Sequence, residues 1–335
     1  MLNKESFEEK YVGKIHCGDC LEVMKDWPDG CVDLVVTSPP YWGLRDYGSD
    51  GQIGLEKTPE KYIDNLARIS GEILRILKEK STYWLNLGDS YVSGKGRYSS
   101  CPQTISKRSR NEPCNHNRPD QKNHPYLKDK DLAMIPARVA IELQKQGWWL
   151  RNDIIWYKPN PMPESVTDRC TKSHEHIFLL SNSPDYYYDH EAIKEDSVDP
   201  ESFSGRRFRS ADRRRTGLVK QHFDSAIHKL YEKRNRRDVW VVNVKNNNDG
   251  TEHYAQYPEE LITSCILAGS RPGAIILDPF SGSGTTCVAA KMLGRRYIGI
   301  EISPEYCQIA RDRLRACDTG VPVKEARAGQ RALFE

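Results

Sequence analysis

The run Ile275-Ile276-Leu277-Asp278-Pro279-Phe280-Ser281-Gly282-Ser283-Gly284-Thr285-Thr286 restricts this chain more than any other part of it. A short apolar stretch ends in an acid, two glycines follow, and helix-forming spacing begins at once, closing at Gly294. Glycine between a buried strand and a helix lets the backbone take positive φ and approach a ligand closely. A second apolar run, Tyr297-Ile298-Gly299-Ile300, ends in Glu301, 23 residues beyond Asp278. There a carboxylate can accept hydrogen bonds from ribose hydroxyls of a nucleoside-containing ligand. The loop is not a Walker phosphate loop, since no Lys follows the second glycine, and it lacks the three-glycine dinucleotide spacing. An acid at its head disfavours a pyrophosphate. It suits a ligand carrying a cationic amine and a sulfonium, such as S-adenosylmethionine.

The same alternation of strand and helix runs through the rest of the chain. Strands are expected at 14–19, 32–36, 83–87, 153–157, 176–180, 239–242, 274–277 and 297–301. Helices are expected from Thr58 and Pro59 to Leu77, over 132–146, 258–268 and 285–293, and from Ser303 and Pro304 to 316. Such alternation predicts an α/β fold, a doubly wound, mostly parallel sheet. With 335 residues, 38% hydrophobic and 29% charged, the chain is long enough for a sizeable core and too apolar for global disorder. No run reaches about 18 apolar residues, and Met1–Lys10 is charged where a signal peptide needs an apolar core, so a cytoplasmic protein is expected. Its ten cysteines then read as reduced thiols.

The net charge of +3 hides two local basic segments. Residues 201–237 carry 12 Lys/Arg against 4 Asp/Glu, and the polar, non-periodic insert 92–130 carries 9 against 3. Local positive charge on an otherwise slightly acidic body points to a polyanion, nucleic acid first, or else to a solvated charged face.

A second constellation, Thr37-Ser38-Pro39-Pro40-Tyr41-Trp42, directly follows an apolar strand. Two prolines fix φ and remove two N–H donors, leaving a stiff loop that presents acceptors. The exocyclic amino group of a nucleobase is a poor nucleophile because its lone pair is delocalised into the ring. Acceptors at its two N–H positions, Ser38 Oγ and the Pro39 carbonyl, would hold it pyramidal and aim the lone pair at an electrophilic methyl. Tyr41 would stack on a base swung out of the duplex.

Together the two motifs resemble the β-class amino-methyltransferases of DNA, in which the Pro-Pro-Tyr motif precedes the cofactor motif in a circular permutation. The resemblance extends to Gly18-Asp19, Lys130-Asp131-Leu132, Trp149 to Arg169 and Tyr257-Pro258-Glu259-Glu260-Leu261. It implies an S-adenosylmethionine-dependent fold with a catalytic half at 14–190, a target-recognition segment at 195–237, a cofactor-binding half at 250–317 and a tail at 318–335. Asp19, Asp278, Phe280, Gly282, Gly284, Thr285 and Glu301 would bind S-adenosylmethionine, and Ser38, Pro39, Pro40 and Tyr41 would engage the base. Arg206, Arg207, Arg213, Arg214 and Arg215 would contact double-stranded DNA. Serine at the head of the motif is more usual in cytosine-N4 enzymes and aspartate in adenine-N6 enzymes, so cytosine N4 is expected and adenine N6 is the alternative. Methylation of an RNA or protein amide group, or silent DNA binding, are the remaining readings, and a cognate restriction endonuclease is a conceivable partner.

No metal is needed for a direct displacement. Cys17 and Cys20 form a lone Cys-x-x-Cys pair, and Cys101, Cys114, His116 and His124 match no established zinc spacing. His174 and His176 read as satisfied surface or core histidines, and at least one of Trp148 and Trp149 is expected in the core.

Overall fold

The computed structural model describes residues 2–44, 49, 51–92, 124–197, 233–244 and 257–320. Most of the insert 92–130, the five arginines from Arg206 to Arg215 and nearly all of the tail lie outside the described residues.

The main unit comprises Met1–Tyr188 and Asp238–Glu335. Its elements are α1 (Lys4–Tyr11), β1 (Lys14–Cys17), α2 (Cys20–Met24), β2 (Val32–Thr37), α3 (Pro59–Ile76), β3 (Leu77–Leu87), α4 (Ile135–Lys145), β4 (Trp149–Tyr157) and β5 (His174–Ser181). The unit Asp189–Arg237 contributes a 3-10 turn at Glu191–Ile193 and the short antiparallel pair β6 (Glu195–Asp196) and β7 (Lys233–Arg234), where Arg234 and Arg237 both donate to Glu195 Oε1. The main unit resumes with β8 (Val239–Val241), α5 (Glu259–Gly269), β9 (Ile275–Asp278), α6 (Thr285–Met292), β10 (Arg296–Glu301) and α7 (Pro304–Thr319).

Eight strands form one sheet in the order β1-β10-β9-β2-β3-β5-β4-β8. All neighbours are parallel except those of β5, which runs against both β3 and β4. Counted from β9, the first five strands read 3-2-1-4-5, the order of a doubly wound sheet. The chain enters that wheel at its third strand, which is the permutation the motif order implies. The direction of winding reverses between β9 and β2, so the crevice at their carboxyl ends is where a ligand site is expected.

Successive residues of a strand face opposite sides, and both sides are covered. On one side Val35, Tyr83, Leu85, Phe178 and Leu277 pack with Phe7 of α1, Met24 of α2, Ile73 of α3 and Leu143 of α4. On the other, Gly269 at the end of α5 lies so close to Leu34 and Trp84 that a Cβ there would meet them at 2.8–2.9 Å. Further along that layer, Ile15 packs with Val288 of α6 and Ala310 and Leu314 of α7.

Most expected elements are present, with informative differences at their edges. Thr58 caps α3 through its Oγ1 and Pro59 starts the helix. β3 begins at Leu77, not at Tyr83, because the chain turns from helix into strand without a loop. Its polar start, Lys78-Glu79-Lys80, hides the strand, and Lys80 takes a left-handed φ of 65° beside a register shift against β2. α4 starts at Ile135 because Met134, at φ 56°, breaks the helical path ahead of Pro136. β1 buries only Ile15, since it is an edge strand with Lys14 and Cys17 turned to solvent. Trp148 is buried against Tyr83, whereas Trp149 is exposed.

No described helix is long and apolar enough to cross a membrane. Among the described residues eight cysteines are free thiols, and burial pushes the Cys20 thiol up to about 12, which leaves it inert.

Candidate active site

The strand ends at the reversal point bring the two motifs together. Ser38 and Pro40, from the loop after β2, line one cleft with Gly18, Asp19, Phe280, Ser281, Gly282, Thr285 and Glu301. The cleft encloses about 1050 Å³, counting its open mouth. Ile53, Ile302, Tyr257 and Tyr306 add apolar and aromatic walls.

The glycine loop is held from several directions. Ser281 N–H donates to the Ile300 carbonyl and Gly284 N–H to the Ser281 carbonyl. The guanidinium of Arg313 donates to the Ser283 carbonyl and to the hydroxyls of Ser283 and Thr285. Gly282 sits at φ 50° with open space where a Cβ would point, so its lack of a side chain keeps the cleft clear. Gly284 does not line the cleft. At φ 81°, with Ala310 Cβ 2.8 Å from where its own would be, it is a packing contact between α6 and α7.

Glu301 bridges the loop and the next turn, accepting from Gly282 N–H at 2.8 Å and Ser303 N–H at 2.9 Å. Burial pushes its carboxyl up, those backbone donors work against the shift, and the charge of Asp278 adds to it. Asp19 accepts from Leu21 N–H and Glu22 N–H and so caps α2 at the cleft wall. Asp278 is fully buried and absent from the wall. Its Oδ1 accepts from Thr37 Oγ1 at 2.5 Å and Phe280 N–H at 3.1 Å, and its Oδ2 from Thr286 Oγ1 at 2.6 Å and Tyr257 O–H at 2.9 Å. Burial raises its pKa against those four donors. The structure thus places this acid as a clamp behind the loop.

On the other side of the cleft, Pro39 is buried and the Pro40 carbonyl accepts from Tyr62 O–H at 2.8 Å. Tyr41 is half-buried, its ring edge against Gly88 at the end of β3. Its hydroxyl donates to Glu175 Oε2 at 2.5 Å and accepts from Asn86 Nδ2 at 2.7 Å. Ser38 Oγ lies 3.3 Å from the Tyr41 oxygen and 3.2 Å from Asn86 Nδ2. Glu175 also forms an ion pair with Lys158, whose ammonium lies 4.2 Å from the Trp156 ring centroid. Burial alone would push Glu175 up; the Lys158 charge and the hydrogen bonds from Lys158, Tyr41 and Asn86 outweigh it and hold the carboxyl below its ordinary value. Burial and the Glu175 charge together push the Tyr41 hydroxyl well up, so it remains a donor.

Sequence reasoning missed Asn86, Lys158, Glu175 and Tyr257 in this arrangement. Lys158 and Tyr257 lie in segments that the family resemblance covers, Trp149 to Arg169 and Tyr257 to Leu261, without an assigned role, and Glu175 is an acid at the mouth of an apolar strand, flanked by two histidines. His176 pairs with Asp153 at 2.9 Å, and neither histidine reaches Ser38. His124 is committed to Glu60 and the Leu127 N–H, and Cys101, Cys114 and His116 lie outside the described residues. Among the described residues no group of three or more His, Cys, Asp or Glu could hold a metal ion.

The profile of the DNA methylase family, N6 and N4 type, matches residues 32–312. The chain is 44% identical to the Type II methyltransferase M.Cfr9I of Citrobacter freundii, over 91% of this chain and 88% of that protein. It is 42% identical to the Type II methyltransferase M.SmaI of Serratia marcescens, over 90% of each. Among solved structures, the DNA modification methylase TTHA0409 of Thermus thermophilus, determined with S-adenosyl-L-methionine, superposes with a TM-score of 0.55 at 24% identity, covering 90% of this chain and 93% of that one. The cytosine-N4-specific PvuII DNA methyltransferase superposes with a TM-score of 0.59 at 17% identity, covering 90% and 86%. Given a profile that spans most of the sequence and relatives above 40% identity across nine-tenths of it, the chain belongs to the N6/N4 DNA methylase family.

Proposed function

We propose that the protein transfers a methyl group from S-adenosylmethionine to the exocyclic amino nitrogen of a base in double-stranded DNA, and that the base is cytosine, methylated at N4. The observation that carries this reading is the continuity of one cleft: Ser38 and Pro40 share its wall with Phe280, Gly282 and Glu301, so an amino group at the first loop meets a ligand held by the second.

The cleft fits the cofactor. Gly282 leaves open space at the loop where any side chain would stand, a cradle that a Cβ would fill. Glu301 supplies a carboxylate for ribose hydroxyls, Asp19 stands just beyond the end of the neighbouring strand β1, and Phe280 and Ile302 offer apolar surface to a purine. When bound, S-adenosylmethionine supplies an electrophilic methyl whose bond to sulfur breaks, its electron pair staying on sulfur, as the amino nitrogen forms the new bond and releases one proton to water.

The chain's own part is positioning. Ser38 Oγ and the Pro39 carbonyl accept the two amino hydrogens and hold the nitrogen lone pair toward the methyl, while Tyr41 stacks on the extruded base. Cytosine N4 is favoured over adenine N6 by serine at the head of the loop, where aspartate is more usual in the adenine enzymes. Arg206, Arg207, Arg213, Arg214 and Arg215 hold phosphates of the duplex. The Type II designation of the relatives supports pairing with a cognate restriction endonuclease in the cytoplasm.

The test is incubation of the purified protein with labelled S-adenosylmethionine and duplex DNA, then digestion and mass identification of the methylated nucleoside. N4-methylcytosine is expected. N6-methyladenine overturns the choice of base and keeps the mechanism; no methylated nucleoside despite cofactor binding moves the activity to an RNA or protein amide, or to silent DNA binding.

A further inference from the structure

We propose that Glu175 is a positioning residue that sets the direction of the Ser38–Tyr41 hydrogen-bond chain, so that Ser38 Oγ faces the target as an acceptor. The inference rests on the amino-methyltransferase reading and adds to it a group outside both sequence motifs.

A carboxylate held ionised by an ammonium can only accept. Glu175 is such a group, nearly enclosed, with Lys158 on Oε1 and Tyr41 and Asn86 on Oε2. The single proton of the Tyr41 hydroxyl is therefore committed to Glu175 Oε2 at 2.5 Å, and the Tyr41 oxygen can only receive. Ser38, 3.3 Å away, gives its own single proton to that oxygen. Its remaining lone-pair capacity is turned toward the cleft that Ser38 lines.

The same anion fixes Asn86. Nδ2 lies 2.9 Å from Glu175 Oε2, 2.7 Å from the Tyr41 oxygen and 3.2 Å from Ser38 Oγ, and only the amide nitrogen can face the carboxylate. Asn86 Oδ1 consequently points away and is buried without a partner. A polar site whose acceptors outnumber its donors accommodates a donor, and an –NH2 group is one. Carbonyl-bearing bases such as thymine, which present an acceptor at the corresponding position, meet lone pairs instead.

With the Lys158 ammonium beside it, a glutamine at this position would turn its amide oxygen to Lys158 and its –NH2 to Tyr41. The phenol proton would then turn toward Ser38, and the Ser38 proton toward the substrate. The experiment compares E175Q, E175D and the double variant E175Q/K158M, in which no ammonium holds the amide oxygen and the carboxamide can turn that oxygen to Tyr41 and Asn86, by steady-state methylation of duplex DNA. Cofactor titration and thermal melting report on the fold. E175Q is expected to lose about 10²-fold in kcat, with KM for DNA and cofactor affinity within about threefold of the parent, and E175D and the double variant each to recover at least tenfold over E175Q. Wild-type kcat in E175Q overturns the proposal. So does a loss confined to KM, or an aspartate variant no better than E175Q. Failure of the unsubstituted protein to methylate any nucleobase is a separate outcome that overturns the parent reading.

Discussion

Thr37 and Asp278, 241 residues apart in sequence, share a hydrogen bond of 2.5 Å across the point where the sheet reverses its winding. Thr37 is the last residue of β2 and precedes Ser38; Asp278 is the last residue of β9 and heads the glycine loop. One buried carboxylate therefore ties the Ser-Pro-Pro-Tyr loop to the glycine loop and, on the proposed reading, sets the separation between nucleophile and electrophile. Asp278→Ala leaves three hydroxyls and the Phe280 N–H without their acceptor. At about 1–3 kcal/mol for each buried group left unpaired, with incomplete additivity, a loss on the order of 3 kcal/mol or more is expected. Asp278→Asn keeps one acceptor oxygen, and the hydroxyls can rotate, so a loss of about 1 kcal/mol is expected. Urea unfolding of both variants checks the ordering; equal stabilities would refute the clamp.

Gly88→Ala tests whether Tyr41 must sit where it does. A Cβ at residue 88 would lie 2.5 Å from Tyr41 Cε2 and 2.8 Å from Cδ2, and Gly88 is not at positive φ, so the backbone tolerates alanine while the ring does not. Displacing the ring pulls its hydroxyl from Glu175. A fall of about 10²-fold in kcat is expected, with cofactor affinity unchanged and a stability loss of about 1–3 kcal/mol. Combined with Tyr41→Phe, the two effects should be clearly less than additive, because they disrupt the same interaction. Full additivity in the double-mutant cycle would show that Gly88 acts elsewhere.

The elements and both loops are legible in the sequence because each is local: apolar runs with a period, caps such as Thr58 and Ser303, glycines and prolines at fixed offsets. Residues such as Asn86, Lys158 and Glu175 are not. They converge from β3, the loop after β4 and the antiparallel strand β5, and only the pairing of Asn86 with Ile177 in the sheet brings that acid beside the Pro-Pro-Tyr loop. Asp278 shows the reverse. Its place at the head of the loop suggested a ligand contact, but complete burial under four donors makes it a clamp, a distinction that rests on packing rather than on motif.

Glu301 gives a pH prediction with opposite signs for folding and for cofactor binding. Burial raises its carboxyl pKa in the folded protein above the ordinary value. The stability it contributes is therefore complete below the ordinary carboxylate pKa and is lost as pH rises through the raised one. A carboxylate that accepts ribose hydroxyls requires the charged form, so cofactor affinity is present above the raised pKa and falls as pH drops through it. Calorimetric titration of S-adenosylmethionine at successively lower pH should show weakening affinity in the parent and a weaker, flatter profile in Glu301→Gln. Parallel profiles in the two proteins would remove Glu301 from cofactor binding.

The five arginines Arg206, Arg207, Arg213, Arg214 and Arg215 are proposed to hold phosphates, and phosphate binding has a thermodynamic signature that base readout lacks. Each neutralised phosphate releases condensed counterions, so the slope of log K against log salt for duplex DNA should become shallower by about 0.9 for every phosphate no longer neutralised. Replacing all five with glutamine should lower the slope by several units, weaken binding to cognate and unrelated duplexes alike, and leave cofactor affinity unchanged. A variant that loses discrimination between sequences at an unaltered salt slope would assign the arginines to base edges, because a hydrogen bond to a guanine edge carries specificity without displacing the same number of ions.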